Sequence, residues 1–306
     1  MNNQFNTPKG FGQILDHTFR LSKNRFSDFF LILLILIGPI YVIQAVIQLL
    51  SGVNFFRETG VGTSWIEQIV SSFDQTYGNE YETTNFGADI ALIVSGLFTA
   101  IFLPVAQAAI LIAVNAIRNE EEFTVGTTIK KAFSRFWPII GSGILFGLIS
   151  FFLIVVPAVL ISIVGFSTGV ENPILGIFLA ILLIVGVGIG VVYLLTRWSF
   201  YFGSVVLKEG SPGFSRSWRL TTKRTWSLIG LFIIFFLISN SISSAVEISF
   251  ALVLGNSVLL GLLTNTVALF TTLFFAVGYA VMYLDLKVRN EATDLKDLVQ
   301  EYENNA

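Results

Sequence analysis

Long uninterrupted apolar runs alternate along this chain with short polar segments, and the lengths of the runs point to the fold. A helix crossing the hydrocarbon core of a bilayer needs roughly 20 predominantly apolar residues. Six segments meet that requirement, at about 29–50, 90–117, 138–165, 173–196, 226–250 and 258–284. They are blocks rather than the one-sided stripes of soluble helices. The segments before spans one and five have a different period. Phe11, Ile14, Leu15, Thr18, Phe19, Ser22 and Phe26 recur at helical spacing, while His17, Arg20, Lys23 and Asn24 share the opposite face. Before the fifth span, Phe214, Trp218 and Thr221 oppose Arg216, Arg219 and Lys223. The pattern predicts an all-α integral membrane protein, one domain over residues 1–306, with six transmembrane helices as three repeated hairpins. A cytoplasmic amphipathic interfacial helix precedes each hairpin; the first occupies 1–28, and an external loop (51–89) and a polar tail (285–306) complete the plan.

Composition agrees: 54% of the residues are apolar, 12% are charged, and mean hydropathy is +0.77. With no cysteine in the sequence, disulfides, thiolate catalysis and Cys-ligated metals are excluded, and no cofactor or metal is expected. The apolar run after Asp28 is too long for a signal peptide and lacks an obvious cleavage site. Of the 18 Lys and Arg residues, only Arg57 falls on the opposite side of the predicted spans from the rest. By the positive-inside rule both termini are cytoplasmic and the acidic 51–89 loop is outside.

The pre-span segments resemble one another. Shifting the third copy by 199 positions sets Arg219 on Arg20, Leu220 on Leu21, Arg224 on Arg25 and Trp218 on Phe19. The middle copy, TVGTTIKKAFSRFWPII, aligns through Arg135 and Phe136 with Arg25 and Phe26. Three hairpins entering from one side imply a parallel, pseudo-threefold bundle. Each cation near an anionic leaflet contributes about 1 kcal/mol of attraction. Simple anchoring to anionic membrane lipids therefore suffices to explain the basic stripes. A sharper reading makes Arg20, Lys23, Arg25, Arg216, Arg219, Lys223 and Arg224 contacts for a lipid headgroup or other anion. The stripes are too short, and too isolated from any recognised module, for a nucleic-acid partner.

The run RWSFYFGSVVLKEGSPGFSRSWRLTTKRTW (197–226), the opening GFGQILDHTFRL (10–21) and the closing YLDLKVRNEATDL (283–295) together resemble the bacterial glycerophosphoryl diester phosphodiesterase membrane-domain family. Arg216 to Thr221 and Trp226 stand where that family has an Arg-Ser-Trp-x-Leu-Thr block followed by Trp. Asn290 to Thr293 depart from its pattern of a basic residue, an acidic one, Gly and an aromatic. The resemblance implies a bacterial cell-membrane protein. It covers the membrane region, which in longer relatives is fused to a separate catalytic barrel that hydrolyses glycerophosphodiesters. Such a barrel uses metal-binding carboxylates and histidines, whereas the only histidine here is His17, read as a surface residue, so no enzymatic activity is expected.

Polar groups within a bilayer are costly and worth naming. The candidates are Gln44, Gln107, Asn240, Glu247 and Asn265, with Gln48, Asn115 and Thr264 beside them. Asn240 and Asn265 suit bonding across helices, and Glu247 falls near the outer interface. Pro39, Pro104 and Pro157 interrupt three spans, and GVGIG (186–190) and GILFG (143–147) carry the spacing of close helix approach. Outside, Trp65, Ile66, Ile69, Val70 and Phe73 fall on one face of a short helix. These features fit a non-enzymatic component or scaffold of a membrane or envelope assembly, with protein partners in the membrane. The alternative is a transporter or lipid-handling protein with an anionic headgroup site at the inner leaflet. A water-filled cavity lined by Gln107, Asn240 or Asn265 favours transport, whereas a sealed apolar core favours the structural reading.

Overall fold

The computed structural model describes residues 7–57, 86–255 and 257–305, and among them the chain forms helices and no strand. The short external helix expected at 64–73 lies outside the described residues. A first group comprises α1 (Phe11–Asn24), α2 (Phe26–Leu50) and α3 (Phe86–Arg118). A second comprises α4 (Val125–Phe133), α5 (Phe136–Glu171) and α6 (Pro173–Trp198). The third holds α7 (Tyr201–Val206), α8 (Phe214–Thr221), α9 (Thr225–Leu254) and α10 (Val258–Asn305). Six helices, α2, α3, α5, α6, α9 and α10, are long and apolar enough to cross a membrane.

A short helix runs into a long one at three places, and each junction is an arginine. Arg25, Arg135 and Arg224 leave helical geometry in similar ways, with φ of −122°, −109° and −137° and ψ of 30°, 13° and 11°. Each carbonyl already accepts the first bond of the following span, from Phe29, Ile139 and Leu228 at 3.2, 3.0 and 3.0 Å. Small residues are buried at matching places before each elbow: Thr18, Thr128 and Ser217 seven positions earlier, and Ser22, Ala132 and Thr221 three earlier. Large apolar Phe29, Ile139 and Leu228 are buried four positions after it.

The hairpins are nevertheless unequal. Helix α10 packs against α1, α2, α3 and α9, and 61% of its most apolar stretch is buried. Close approach comes from small residues: a Cβ on Gly278 would meet the Phe235 ring at 2.6 Å, and one on Gly203 would meet the Tyr283 ring at 2.3 Å. Without a hydrophobic force between helices in lipid, such packing has to supply the association. Helices α5 and α6 pack mainly on each other, with 0% and 6% of their apolar stretches buried.

Three boundaries differ from the sequence expectation. Helix α5 runs on to Glu171, so the turn before α6 shrinks to Asn172, whose side chain caps Leu175 N–H at 3.2 Å before Pro173 opens the next helix. The tight turn needs Gly176, where a Cβ would sit 2.6 Å from the Gly169 backbone. Helix α7 forms inside the expected 197–225 connection. The tail from Asp285 stays helical to Asn305, helped by i, i+4 pairs between Asp285 and Arg289 (2.8 Å) and between Lys287 and Glu291 (4.0 Å).

Candidate functional site

The ends of α3, α6 and α10 and the starts of α2, α5 and α9 converge on one basic end. Two acidic groups organise it. Buried Asp285 accepts Lys9 N–H at 2.6 Å and pairs with Arg289 at 2.8 Å. The Lys9 carbonyl in turn accepts from Arg289 and, at 3.5 Å, from Arg224. The start of the described chain is thereby clasped to α10 and to the third elbow. Burial pushes the Lys9 ammonium below its ordinary pKa, Asp285 opposes that shift, and Arg118 and Arg289 reinforce it.

Glu209, just after α7, is the second organiser. Lys287 lies 2.7 Å from its carboxylate, the Tyr283 hydroxyl donates at 2.7 Å, and Arg216 stands 3.4 Å away. Burial works to raise the Glu209 pKa, but these hydrogen bonds and cations outweigh it and hold the carboxyl below its ordinary value. A third tie is Arg197, buried against α8. It donates to Trp218 O and Thr222 Oγ1, both at 2.8 Å, and its guanidinium stacks 3.7 Å from the Trp218 ring centre. Its place at the end of an apolar span gave no sign of this structural bond.

The seven predicted anion contacts therefore divide. Arg216 and Arg224 turn inward to Glu209 and the Lys9 carbonyl. Arg20 pairs with Asp16 at 3.7 Å and Arg25 with Asp28 at 3.4 Å, both at the surface. Lys23, Arg219 and Lys223 are exposed and make no ion pair among the described residues. His17 departs from expectation. Instead of facing outward with Arg20, it is buried where α1 packs on α10, together with Ile14, Thr18, Leu21 and Ser22. Burial, then Lys9 and Arg20, lower its pKa to about 4, with Asp16 opposing, so the imidazole is neutral at pH 7.

Beside this polar end lies a cavity of about 640 Å³ between the second hairpin and the rest of the molecule. It is lined by α3, the first turns of α5, the α6–α7 corner, α9 and α10. Its volume falls within the roughly 300–1,000 Å³ of small-molecule sites. Leu97, Ile101 and Ile144 line it and are exposed, so the cavity is partly open rather than sealed. Four lining side chains carry polar atoms: Gln107, Ser199, Tyr201 and Tyr279. Ser199 Oγ donates to Thr196 O at 2.9 Å, and the Tyr279 hydroxyl bridges Gly203 N and Ser199 O at 3.0 and 3.1 Å. Gln107 and the Tyr201 hydroxyl have no hydrogen-bond partner among the described residues.

The other intramembrane polar residues lie apart from the cavity lining. Asn240 is exposed and donates to Phe236 O at 2.9 Å in its own helix, so it does not bond across helices. Glu247 is exposed on α9, seven residues before the helix ends at Leu254. Gln44 and Asn265 are half-buried on α2 and α10. Among the described residues no group of three His, Asp or Glu side chains is placed to hold a metal ion.

Comparison of the chain with family models, with curated proteins and with solved structures finds no match. The architecture itself defines a class: an all-helical protein with six helices of membrane-spanning length and composition.

Proposed function

We propose that this chain is a non-enzymatic, lipid-handling protein of the bacterial cell membrane, a six-span relative of the glycerophosphoryl diester phosphodiesterase membrane-domain family. The cavity carries the reading. A partly open, largely apolar space of about 640 Å³ among spanning helices, beside a basic end, matches an amphiphile in both shape and polarity. The three arginine elbows support the threefold-repeat reading, and the positive-inside bias of the sequence supports basic stripes at the cytoplasmic leaflet. Of the seven expected contacts, exposed Lys23, Arg219 and Lys223 are left to meet anionic headgroups. The neutral, buried His17 is suited to packing α1 on α10 rather than to acid–base work at pH 7. The test is the lipid that copurifies with the full chain. Anionic phospholipid enriched over the bulk membrane, with the enrichment falling in the Lys23→Gln, Arg219→Gln, Lys223→Gln triple variant, is the expected outcome. Bulk composition in both proteins would refute it.

One observation favours a second reading, a component of a membrane assembly. Helices α5 and α6 have almost no fully buried residue along their apolar stretches, and the spaces beyond Gly186, Gly188 and Gly190 are empty of neighbours. A stoichiometric second polypeptide crosslinked to this hairpin in native membranes is the result this reading requires.

A further inference from the structure

The cavity has a direction, and that direction specifies what fills it. Leu97 and Gln107 both line it and are ten residues apart on α3. At 1.5 Å per residue they are about 15 Å apart along the helix, half of a hydrocarbon core roughly 30 Å thick. Because α3 runs toward the basic end, Gln107 lies nearer that end and Leu97 farther from it. Tyr201 lines the same cavity from the corner after α6, also at the basic end. The wall is thus apolar away from the basic end and hydrogen-bonding toward it.

Two unsatisfied groups mark that polar side. The Tyr201 ring is held between Phe146 and Phe214, at centroid distances of 4.8 and 5.1 Å, while its hydroxyl has no protein partner among the described residues. A Cβ on Gly143 would lie 3.7 Å from that hydroxyl, so the absence of a side chain keeps the approach clear. The Gln107 amide likewise lacks a protein partner among the described residues. Both groups are accessible from the cavity, so a ligand able to accept from these donors gains hydrogen bonds by entering.

Resting on the lipid-handling reading, we infer that this cavity binds one long acyl chain. The chain's methylenes extend toward Leu97, and its carbonyl oxygen accepts hydrogen bonds from Gln107 and Tyr201. A free fatty acid and the ester-linked chain of a phospholipid share this chemistry.

The test is photolabelling of the full chain in liposomes with two probes. One is palmitate and the other phosphatidylglycerol, each carrying a diazirine on the acyl chain, and labelled residues are mapped by peptide mass spectrometry. The expected result is labelling concentrated on Ile140, Ile144 and Phe232, which line the cavity. Gln107→Leu and Tyr201→Phe, which keep volume and remove a hydrogen-bonding group, should each lower it by about fivefold. Gly143→Trp should abolish it, while Gly143→Ala, which meets the Tyr201 hydroxyl at ordinary contact distance, should retain it. Circular dichroism identifies any variant that has lost its fold.

Labelling by palmitate alone supports the acyl site and removes phospholipid as its source. Labelling by phosphatidylglycerol alone supports it and names the phospholipid. Label spread evenly over the exposed faces of α5 and α6, unchanged in the Gln107 and Tyr201 variants, overturns the inference. That outcome would leave the wider lipid-handling reading standing if anionic lipid still copurified.

Discussion

Helices α5 and α6 contain the most apolar stretches of the six candidate spans and α10 the least apolar, yet α10 is the most buried and the α5–α6 hairpin the most exposed. In water the order would be reversed. In a bilayer apolarity gives no reason to leave the lipid, so burial follows small residues that allow contact and polar groups that need partners. Helix α10 has both: Gly278 and Ala280 against its neighbours, and Tyr279, Tyr283, Asp285 and Arg289 in hydrogen bonds or ion pairs. The middle hairpin has glycines too, but Gly186, Gly188 and Gly190 face open space. The cavity forms where a tightly bonded core meets a loosely attached pair.

The contrast is most easily broken at glycines. Gly203→Leu forces a side chain into the Tyr283 ring and should cost about 3 kcal/mol or more. Gly188→Leu, with nothing within 4 Å, should change stability by no more than about 0.5 kcal/mol. Thermal unfolding in detergent, followed by circular dichroism, checks both.

Next in size is the clasp. Asp285→Ala leaves Arg289 and the Lys9 N–H without their buried acceptor and should cost about 3–5 kcal/mol in the same assay. Asp16→Ala, which breaks only the exposed pair with Arg20, should cost less than about 1 kcal/mol.

Glu209 gives a smaller, pH-dependent effect. Its carboxyl pKa is depressed in the folded protein, so the stability it contributes is fully present above the ordinary value of 4.5 and disappears as pH falls through the lower folded value. Glu209→Gln should flatten that acid limb of a melting-temperature profile. A profile identical to wild type would mean that the Lys287, Arg216 and Tyr283 contacts contribute nothing.

The smallest stability effect belongs to the exposed cations. Lys23→Gln, Arg219→Gln and Lys223→Gln should each alter stability by no more than about 0.5 kcal/mol. Together they should weaken binding to anionic liposomes by about 1 kcal/mol per charge removed, with less effect at high salt.

Much of this fold was readable in the sequence because membrane spans announce themselves by length. The six expected segments fall within the six long helices, and the three arginines that align in the sequence stand at the three elbows, although the alignment itself did not predict a break there. The interior was harder to read because helical spacing shows which residues share a face but not what covers that face. Phe11 and Phe19 are exposed at 38% and 50%, whereas His17 and Leu21 point into the protein. Gln107 was visible as a polar residue in an apolar span, but Tyr201 was not, since its role depends on the α6–α7 corner meeting α3 and α5, which are distant in sequence. Arg216 and Arg224 looked like surface cations because their partners, Glu209 and the Lys9 carbonyl, come from a turn seven residues earlier and from the far end of the chain.

The most direct measurement is native mass spectrometry of the full chain released from its own membrane in mild detergent, comparing wild type with Gly143→Trp. One acyl lipid retained per wild-type chain and none in the variant, with helicity unchanged, is the expected result. A wild-type chain free of lipid, or a variant retaining as much as wild type, would contradict it.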